Sequence, residues 1–272
     1  MRRVARATLS ACVALSLFPF VPPDLLDRPV LHAQRASGAS TLAIDTAHYA
    51  GMTWRMVGPH RGGRSTTVAG HPSMTHTFLQ GTTGGGIWRT EDAGNSWLPV
   101  TDGQLDVGPV GAIGIAESDP NVIYAGTGSA CIRGNISTGR GVWKSTDGGK
   151  TWKSVGLTES GAVGRIVVHP TNPDLVYLAA LGHPFGKNPE RGVYRSKDGG
   201  ATWQKSLYLN DSTGAVSLAM NPKNPREIYA GMWRAERKPW MVISGSTDGG
   251  VWKTTDGGDT WSKLGGGLPE GL

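Results

Sequence analysis

Cysteine and charge are both scarce in this chain of 272 residues. It has two cysteines, Cys12 and Cys131, and charged residues make up 18% of the sequence. A framework of several disulfides is therefore excluded. The formal net charge of +6 is too mild to indicate a nucleic-acid-binding protein. The sequence also lacks HExxH, GxSxG and the spacing of a metal site, so we expect neither a metal nor a cofactor.

Long apolar runs are absent too, apart from one near the N-terminus. The stretch MRRVARATLSACVALSLFPFV has a basic start and an apolar run, and VLHAQ places Ala33 before Gln34. This order is typical of a secretory signal peptide, which we assign to residues 1–33, with a linker over residues 34–50. The run is too short and too interrupted by proline to cross a membrane as a stable helix. We expect a secreted or periplasmic protein that retains a single cysteine.

Glycine, in contrast, is abundant at 41 residues, and it recurs at fixed places. The string GVWKSTDGGKTW (141–152) contains GGKT, but Lys144 stands where a phosphate-binding P-loop needs its first glycine. The same string recurs as GIWRTEDAGNSW (86–97), GVYRSKDGGATW (192–203) and GVWKTTDGGDTW (250–261). The central aspartates are 55, 51 and 58 residues apart, slightly more than the usual length of one four-stranded propeller blade. Each copy therefore marks one blade.

An alternating apolar run precedes these copies, as in VGRIVVHP (163–170). A Pro/Asn/Asp turn and a second run, LVYLAALG (175–182), follow it. Composition and period identify both runs as short strands. One blade then contains an inner strand, a turn, a second strand, a long loop, a third strand, a hairpin and an outer strand. The sequence predicts an all-β β-propeller of four-stranded antiparallel blades over residues 51–272, with blades at about 59–100, 108–156, 162–207 and 213–265.

The repeated hairpin has a structural explanation. An aspartate at its tip can accept hydrogen bonds from the backbone N–H groups that follow, and the glycine supplies a positive φ. The tryptophan at its end lies on a paired strand, where it can pack between sheets. We assign these structural roles to Asp92, Gly94, Trp97, Asp147, Gly149, Trp152, Asp198, Gly200, Trp203, Asp256, Gly258 and Trp261.

The pattern SxDxGxTW, present as STDGGKTW, SKDGGATW, TTDGGDTW and the looser TEDAGNSW, resembles the Asp-box (BNR repeat) of sialidases, sortilin-type receptors and xyloglucanases. All of these are β-propellers. The order of segments, with ACIRGN (130–135), GHPFGKNPERGVYRS (182–196) and MWRAERKPW (232–240), is similar to large secreted bacterial proteins of the glycosyl hydrolase-like or sortilin-like type. The resemblance covers about residues 51–272, and it implies the fold rather than an activity, because enzymes and receptors share the box.

One predicted strand has no blade to join. MTWRMVG (52–58) looks like an outer strand, yet no box precedes it, and the fourth blade already has its own outer strand, TWSKL (260–264). In a propeller the first segment commonly completes the last blade and closes the ring. We therefore expect these blades to be the N-terminal part of a larger propeller of about seven blades, with the remaining blades as partners. A closed ring of four blades is the alternative.

Ligand-binding residues are expected on the face opposite the hairpins, where long loops and links between blades lie. Arginine suits carboxylates, and tryptophan suits sugar faces or peptide side chains. The candidates are His60, Arg61, Arg64, Arg133, Asn135, His183, Lys187, Arg191, Arg237 and Trp240. The alternative for each of them is a solvated side chain or a salt bridge between loops.

This chain lacks a key residue of each of two enzyme families, the sialidases and the xyloglucanases. Sialidases have an arginine followed by Ile-Pro near Arg64, which is followed here by Ser-Thr. Xyloglucanases have a catalytic aspartate before a Gly-Gly, where this chain has Thr83. A glycosidase needs two carboxyl groups. The catalytic set stays unknown, and Glu190 and Glu236 are its candidates.

These observations predict a secreted Asp-box β-propeller that acts as a ligand-binding or scaffold module through its loops, with a glycan or peptide as ligand. The alternative is a sialidase-like or xyloglucanase-like glycoside hydrolase whose catalytic acids lie on the loops or in further blades. We expect no nucleic-acid partner and no membrane span once the signal peptide is removed. A hydrolase requires two acids in one concavity, whereas a receptor-like module requires a broad basic and aromatic surface.

Overall fold

The computed structural model describes residues 45–52 and 64–267. The chain divides into two compact units, residues 1–59 and residues 60–272. In the first unit, Thr46–Tyr49 forms a 3-10 helix whose cap, Asp45, accepts a hydrogen bond from the Ala47 backbone N–H at 2.9 Å. The predicted signal peptide and most of the predicted closing strand (52–58) lie outside the described residues.

In the second unit, the described residues form four antiparallel sheets of consecutive strands. Blade 1 contains β1 (Ser65–His71), β2 (Met74–Thr82), β3 (Ile87–Thr90) and β4 (Leu98–Pro99), and blade 2 contains β5 (Val110–Ala116), β6 (Asp119–Thr127), β7 (Val142–Ser145) and β8 (Lys153–Ser154). Blade 3 contains β9 (Val163–His169), β10 (Asn172–Ala180), β11 (Gly192–Ser196) and β12 (Gln204–Leu207). Blade 4 contains β13 (Thr213–Asn221), β14 (Asn224–Arg237), β15 (Val242–Ser244), β16 (Gly250–Thr254) and β17 (Ser262–Lys263). The predicted all-β architecture of four-stranded blades is confirmed.

Apolar clusters between neighbouring blades form the core. Leu79 and Ile87 of blade 1 pack with Ile113 and Trp143 of blade 2, and equivalent clusters join blades 2 and 3 and blades 3 and 4. The blades approach closely because small residues face the next sheet. A Cβ atom at Gly126 would lie 2.3 Å from a side-chain carbon of Val163 in blade 3. The core is therefore a series of sheet-to-sheet interfaces, which burial of apolar surface stabilises.

The Asp-box hairpin is held by its own hydrogen bonds, as in blade 2. Asp147 accepts the backbone N–H groups of Lys150 and Thr151, both at 2.9 Å, while the Ser145 hydroxyl accepts the Gly149 N–H at 2.8 Å. Gly149 has φ of 88°, a conformation that favours glycine. Each box aspartate is thus engaged with its own turn.

The hairpins lie at one end of the blades, which we call the box face. The Gly148 N–H donates to the Asn121 carbonyl at 3.0 Å, and this places the box of blade 2 beside the turn between β5 and β6. The Gly199 N–H makes the same contact with the Asp174 carbonyl in blade 3. The connections between second and third strands lie at the opposite end, which we call the loop face.

Blade 4 departs from the repeated plan on the loop face. The sequence predicts a long loop after the second strand, but β14 continues to Arg237 and pairs with β15 in a hairpin. Arg237 lies opposite Val242, and Ala235 lies opposite Ser244. The hairpin is an addition to the four-stranded sheet and carries two of the predicted ligand-binding residues, Arg237 and Trp240.

Candidate functional site

The predicted ligand-binding residues that the structure describes lie on the loop face. Arg133 and Asn135 lie between β6 and β7, and His183, Lys187 and Arg191 lie between β10 and β11. Arg237 ends β14, and Trp240 follows it in the hairpin turn. Arg64 immediately precedes β1. His60 and Arg61 lie outside the described residues.

Loops from three blades meet around Arg237. Its backbone N–H donates to the Pro184 carbonyl of the blade 3 loop at 2.6 Å. Its guanidinium group lies beside the blade 2 loop, where a Cβ atom at Gly134 would be 3.5 Å from Nη2. A small apolar cluster containing Leu181 and Ala235 packs beneath this junction. The loops therefore form a connected surface rather than separate projections.

The entrance to blade 1 also contacts the loop of blade 2. Arg64 Nη1 donates to Asn135 Oδ1 at 3.4 Å, and both side chains are exposed. Arg64 also accepts a backbone hydrogen bond, from Thr83 N to its carbonyl oxygen at 3.1 Å. The structure thus brings together two predicted ligand-binding residues and the position where the xyloglucanase template has its aspartate.

Arg191 lies behind this surface and is fully buried. Its Nη2 donates to the carbonyls of His183, Gly186 and Ala235 at 3.0, 3.1 and 3.0 Å. Burial lowers the pKa of the guanidinium, which nearby Glu236 partly offsets. Arg191 was predicted to bind ligand, but its hydrogen bonds join the blade 3 loop to β14, so it fits a positioning role.

A polar cavity of about 440 Å³ opens on the loop face between blades 3 and 4. Its lining consists of Lys187, Asn210, Asp211, Ser212, Thr213, Arg234, Ser246 and Asp248. Asp248 Oδ2 accepts a hydrogen bond from Asn210 Nδ2 at 3.1 Å, and Asp211 accepts one from the Tyr208 hydroxyl. The cavity combines two carboxylates, two cationic side chains and several hydroxyl or amide groups, which is a chemistry suited to hydroxyl-rich ligands.

Asp248 was not among the residues predicted for this site. Asp248 belongs to STDGG (246–250), which has the same letters as an Asp-box turn and directly precedes the real box of blade 4. Its side chain faces the cavity instead of closing a box hairpin. A clue was available in the spacing, because two TDGG strings eight residues apart cannot both mark a blade.

The two glutamates named as catalytic candidates have different surroundings. Glu236 forms an ion pair with Lys238, and this contact lowers the pKa of the carboxyl group, with smaller contributions from Arg191 and Lys187. Glu236 is therefore ionised at neutral pH and unsuited to donating a proton. Glu190 contributes its backbone carbonyl, which accepts the Tyr194 hydroxyl at 3.1 Å.

Exposed aromatic and apolar side chains accompany the charged groups. Trp240 is 79% exposed at the tip of the β14–β15 hairpin, followed by exposed Met241 and Val242. Phe185 is also exposed, and its ring lies edge-on to that of His183 with centroids 5.5 Å apart. Such flat apolar surfaces can stack against the faces of sugar rings or against apolar peptide side chains.

Comparison with known proteins finds the same types of relative that the boxes indicate. The family model described as "Sortilin, neurotensin receptor 3" matches residues 140–268. The chain is 26% identical over 242 residues to the "Probable oligoxyloglucan-reducing end-specific xyloglucanase" of Neosartorya fischeri, covering 83% of this chain and 26% of that protein. It is 29% identical over 116 residues to the vacuolar protein sorting/targeting protein 10 of Sordaria macrospora, covering 42% of this chain and 7% of that protein. The crystal structure of an ancestral GH74 enzyme superposes with a TM-score of 0.61 at 23% identity, over 80% of this chain and 26% of that chain.

These similarities confirm the Asp-box β-propeller architecture. The chain spans about a quarter of the length of the xyloglucanase relative, and the likeness to the GH74 structure shows the fold alone. Among residues 45–52 and 64–267, no helix has the length and apolarity needed to cross a bilayer.

Proposed function

We propose that this chain is the ligand-binding part of a secreted Asp-box β-propeller and that it binds a glycan through the loop face of blades 2 to 4. The open polar cavity between blades 3 and 4 carries the proposal, because its lining offers both hydrogen-bond donors and acceptors. Sugar hydroxyl groups both donate and accept hydrogen bonds, so they match a mixed lining of carboxylate, amide, hydroxyl and cationic groups.

The framework around the cavity favours a prepared site. Asn210 Oδ1 accepts the backbone N–H groups of Ser212 and Thr213 at 2.9 and 3.0 Å, which fixes the link into blade 4. The Asn188 N–H donates to the Asp211 carbonyl at 3.0 Å, which joins that link to the blade 3 loop. Loops held in this way lose little conformational freedom on binding, and affinity gains from the smaller entropy cost.

Trp240 supplies the second element of the proposed site. Arg234 lines the cavity, and the same strand continues through Arg237 to the hairpin that exposes Trp240. An extended glycan can place hydroxyl groups in the cavity and stack a ring on the indole. The names of the xyloglucanase relatives support a plant-type β-glucan as the first ligand class to test.

Secretion and a longer propeller complete the proposal. The basic and apolar N-terminal sequence supports export. Because the matched xyloglucanase is about four times as long as the aligned part of this chain, we propose that the four blades work within a longer parent protein.

Calorimetric titration with xyloglucan oligosaccharides tests glycan binding. We expect Asp248→Asn and Trp240→Ala each to weaken binding about tenfold, because loss of a charged hydrogen bond or of an aromatic contact amounts to about 1 to 1.5 kcal/mol. Phe78→Ala is the matched control, since Phe78 is an exposed aromatic residue on β2 of blade 1. Unchanged affinity in both loop-face variants, or an equal loss in the control, would refute the site. Binding of peptides with no binding of glycans would favour the peptide alternative.

A glycoside hydrolase is the second candidate, and one observation favours it. Asp211 and Asp248 line the same cavity, and glycosidases act through two carboxyl groups. If the chain is a hydrolase by itself, it releases reducing ends from xyloglucan, and Asp211→Asn or Asp248→Asn lowers kcat by about a hundredfold or more. Binding of the oligosaccharides without any release of reducing ends would reject catalysis by this chain and leave the binding proposal intact.

A further inference from the structure

The two aspartates that line the polar cavity between blades 3 and 4 already have hydrogen-bond donors. Asp248 Oδ2 accepts the Asn210 side-chain amide at 3.1 Å, and Asp211 accepts the Tyr208 hydroxyl. A carboxylate has about four lone-pair sites, so each aspartate can accept a further donor. The hydroxyl groups of a bound sugar ring can supply such donors.

The two cations of the same lining have no such partners. Among the described residues, the side chains of Lys187 and Arg234 form neither an ion pair nor a hydrogen bond. Glu236, two residues after Arg234 on β14, pairs with Lys238 instead. Arg234 is half-buried, so water alone satisfies its five N–H donors less well than it would on an open surface.

Hydrogen bonds hold the backbone of Arg234 on both sides. β14 places Arg234 opposite Thr213 of β13, and its carbonyl accepts the Gly245 N–H, which follows β15, at 3.0 Å. The guanidinium group therefore extends from a paired strand and not from a free loop. A donor held in this way loses little conformational freedom when a ligand binds.

A buried hydroxyl group of the same lining also has no partner. Thr213 is fully buried, but its Oγ1 makes no hydrogen bond with any residue that the structure describes. This is unfavourable, because the hydroxyl group has lost its contacts with water and gained none in return. The unpaired groups of the cavity are thus a guanidinium, an ammonium and a hydroxyl, all of which can donate.

A carboxylate matches this set of donors. A guanidinium group presents two parallel N–H groups to the two oxygens of a carboxylate, and an ammonium group adds a further charged donor. A neutral sugar can donate its hydroxyl groups to the aspartates, but it leaves both cations without an opposite charge. An acidic sugar satisfies the aspartates and the cations together.

We propose that the cavity binds an acidic sugar of a glycan, with the carboxylate of a hexuronate at Arg234 and Lys187 and its ring hydroxyls at Asp211 and Asp248. The inference rests on the proposed glycan binding at the loop face and assigns to that site a preference for acidic over neutral chains. The cavity volume of about 440 Å³ lies in the range of small-ligand sites. Complementary charges contribute mainly to specificity, so neutral chains still bind, but more weakly.

Three tetrasaccharides with one β-glucan backbone test the preference by calorimetric titration. They are the neutral chain, the chain with one glucose oxidised to glucuronate, and the methyl ester of that glucuronate chain. We expect the glucuronate chain to bind about tenfold more tightly than the other two at about 0.05 M salt and the difference to shrink at about 1 M salt, because ions screen exposed charges. Equal affinities would overturn the acidic preference and leave glycan binding intact. Failure of all three chains and of xyloglucan oligosaccharides to bind would overturn both.

Arg234→Gln and Arg226→Gln are a matched pair of variants, because both arginines lie on β14 and each substitution removes one positive charge. Arg226 lies at the box-face end of the strand, where its carbonyl accepts the Gly257 N–H at 2.9 Å. Arg234→Gln should weaken binding of the glucuronate chain to about the level of the neutral chain, whereas Arg226→Gln should not change it. A preference that survives Arg234→Gln, or an equal loss in both variants, would contradict the assignment.

Two further arms keep the proposal testable. Lys187→Gln alters an exposed loop side chain and no strand, so it should reduce the preference for glucuronate in a protein with an unchanged Tm. Retention of the full preference in this variant would remove Lys187 from the site. The same tetrasaccharide with a sulfate ester in place of the carboxylate distinguishes the two acidic groups. Tighter binding of the sulfate than of the glucuronate chain would overturn the assignment to a carboxylate.

Discussion

Replacement of Asp147 by alanine removes the acceptor around which the Asp-box hairpin of blade 2 folds. Asp147 Oδ1 accepts the N–H groups of Lys150 and Thr151 at 2.9 Å and the Ser145 hydroxyl at 2.7 Å. Its Oδ2 accepts the Thr151 hydroxyl at 2.6 Å. The substitution therefore leaves four donors without their acceptor in one turn.

The expected loss of stability is modest, because water can replace part of what is lost. Lys150 and Thr151 are exposed, so water can reach three of the four donors, whereas the buried Ser145 hydroxyl loses its acceptor and still accepts the Gly149 N–H. We expect the free energy of unfolding to fall by about 1 to 2 kcal/mol, the lower part of the range for unsatisfied polar groups. In a unit of this size, that corresponds to a decrease in Tm of about 2 to 8 °C.

Thermal and urea denaturation measure this loss, with Asp106→Ala, at an exposed aspartate in the link between blades 1 and 2, as the control. Glycan affinity of the folded Asp147→Ala protein should match that of the parent. Loss of ligand binding at an unchanged Tm would refute the structural role of the box and move the functional site to the box face.

Two further predictions concern pH and blade contacts. The Ser96 and Thr202 side chains lower the pKa of Asp92 and Asp198 to about 2 from the ordinary 3.8. The stabilisation from these carboxylates is complete above their pKa in the unfolded chain and is lost as pH falls through their pKa in the folded protein. The urea midpoint should therefore be constant from pH 7 to about 5 and decrease between about pH 4 and 2. A midpoint that stays constant down to pH 2 would contradict this. Arg195→Met removes the hydrogen bond from Arg195 of blade 3 to the Gly257 carbonyl of blade 4 and should lower the free energy of unfolding in urea by about 2 to 3 kcal/mol. Arg165→Met, at an exposed arginine, should not lower it, and equal losses in the two variants would exclude a stabilising role for the contact between the blades.

The blades could be predicted because their information is local and repeated. Each box carries its turn chemistry in eight residues, and the alternating runs before it, such as VGRIVVHP, identify the paired strands. The assignment of the hairpins and the loops to opposite ends follows from the strand order alone. The four sheets could therefore be predicted from the sequence.

The details of the loop face were not predictable, because they depend on contacts between distant segments. The continuation of β14 through Arg234 and Arg237 has no alternating apolar pattern, and its pairing with β15 decides the strand. Arg191 has the composition of a surface ligand residue, yet three carbonyls brought in by the loop and by β14 bury it. Asp248 belongs to a sequence that looks like an Asp-box turn, and its position in the cavity lining is set by contacts that the sequence does not show.

Amide hydrogen exchange of the full chain, with and without xyloglucan oligosaccharides, shows which segments a bound glycan covers. Binding at the loop face predicts slower exchange in residues 181–191 and 238–249, which form the blade 3 loop and the blade 4 hairpin with its following turn. The box turns at residues 145–152 and 196–203 should exchange at the same rate in both samples. Protection confined to the box turns, or no protection at saturating oligosaccharide, would contradict a glycan-binding loop face.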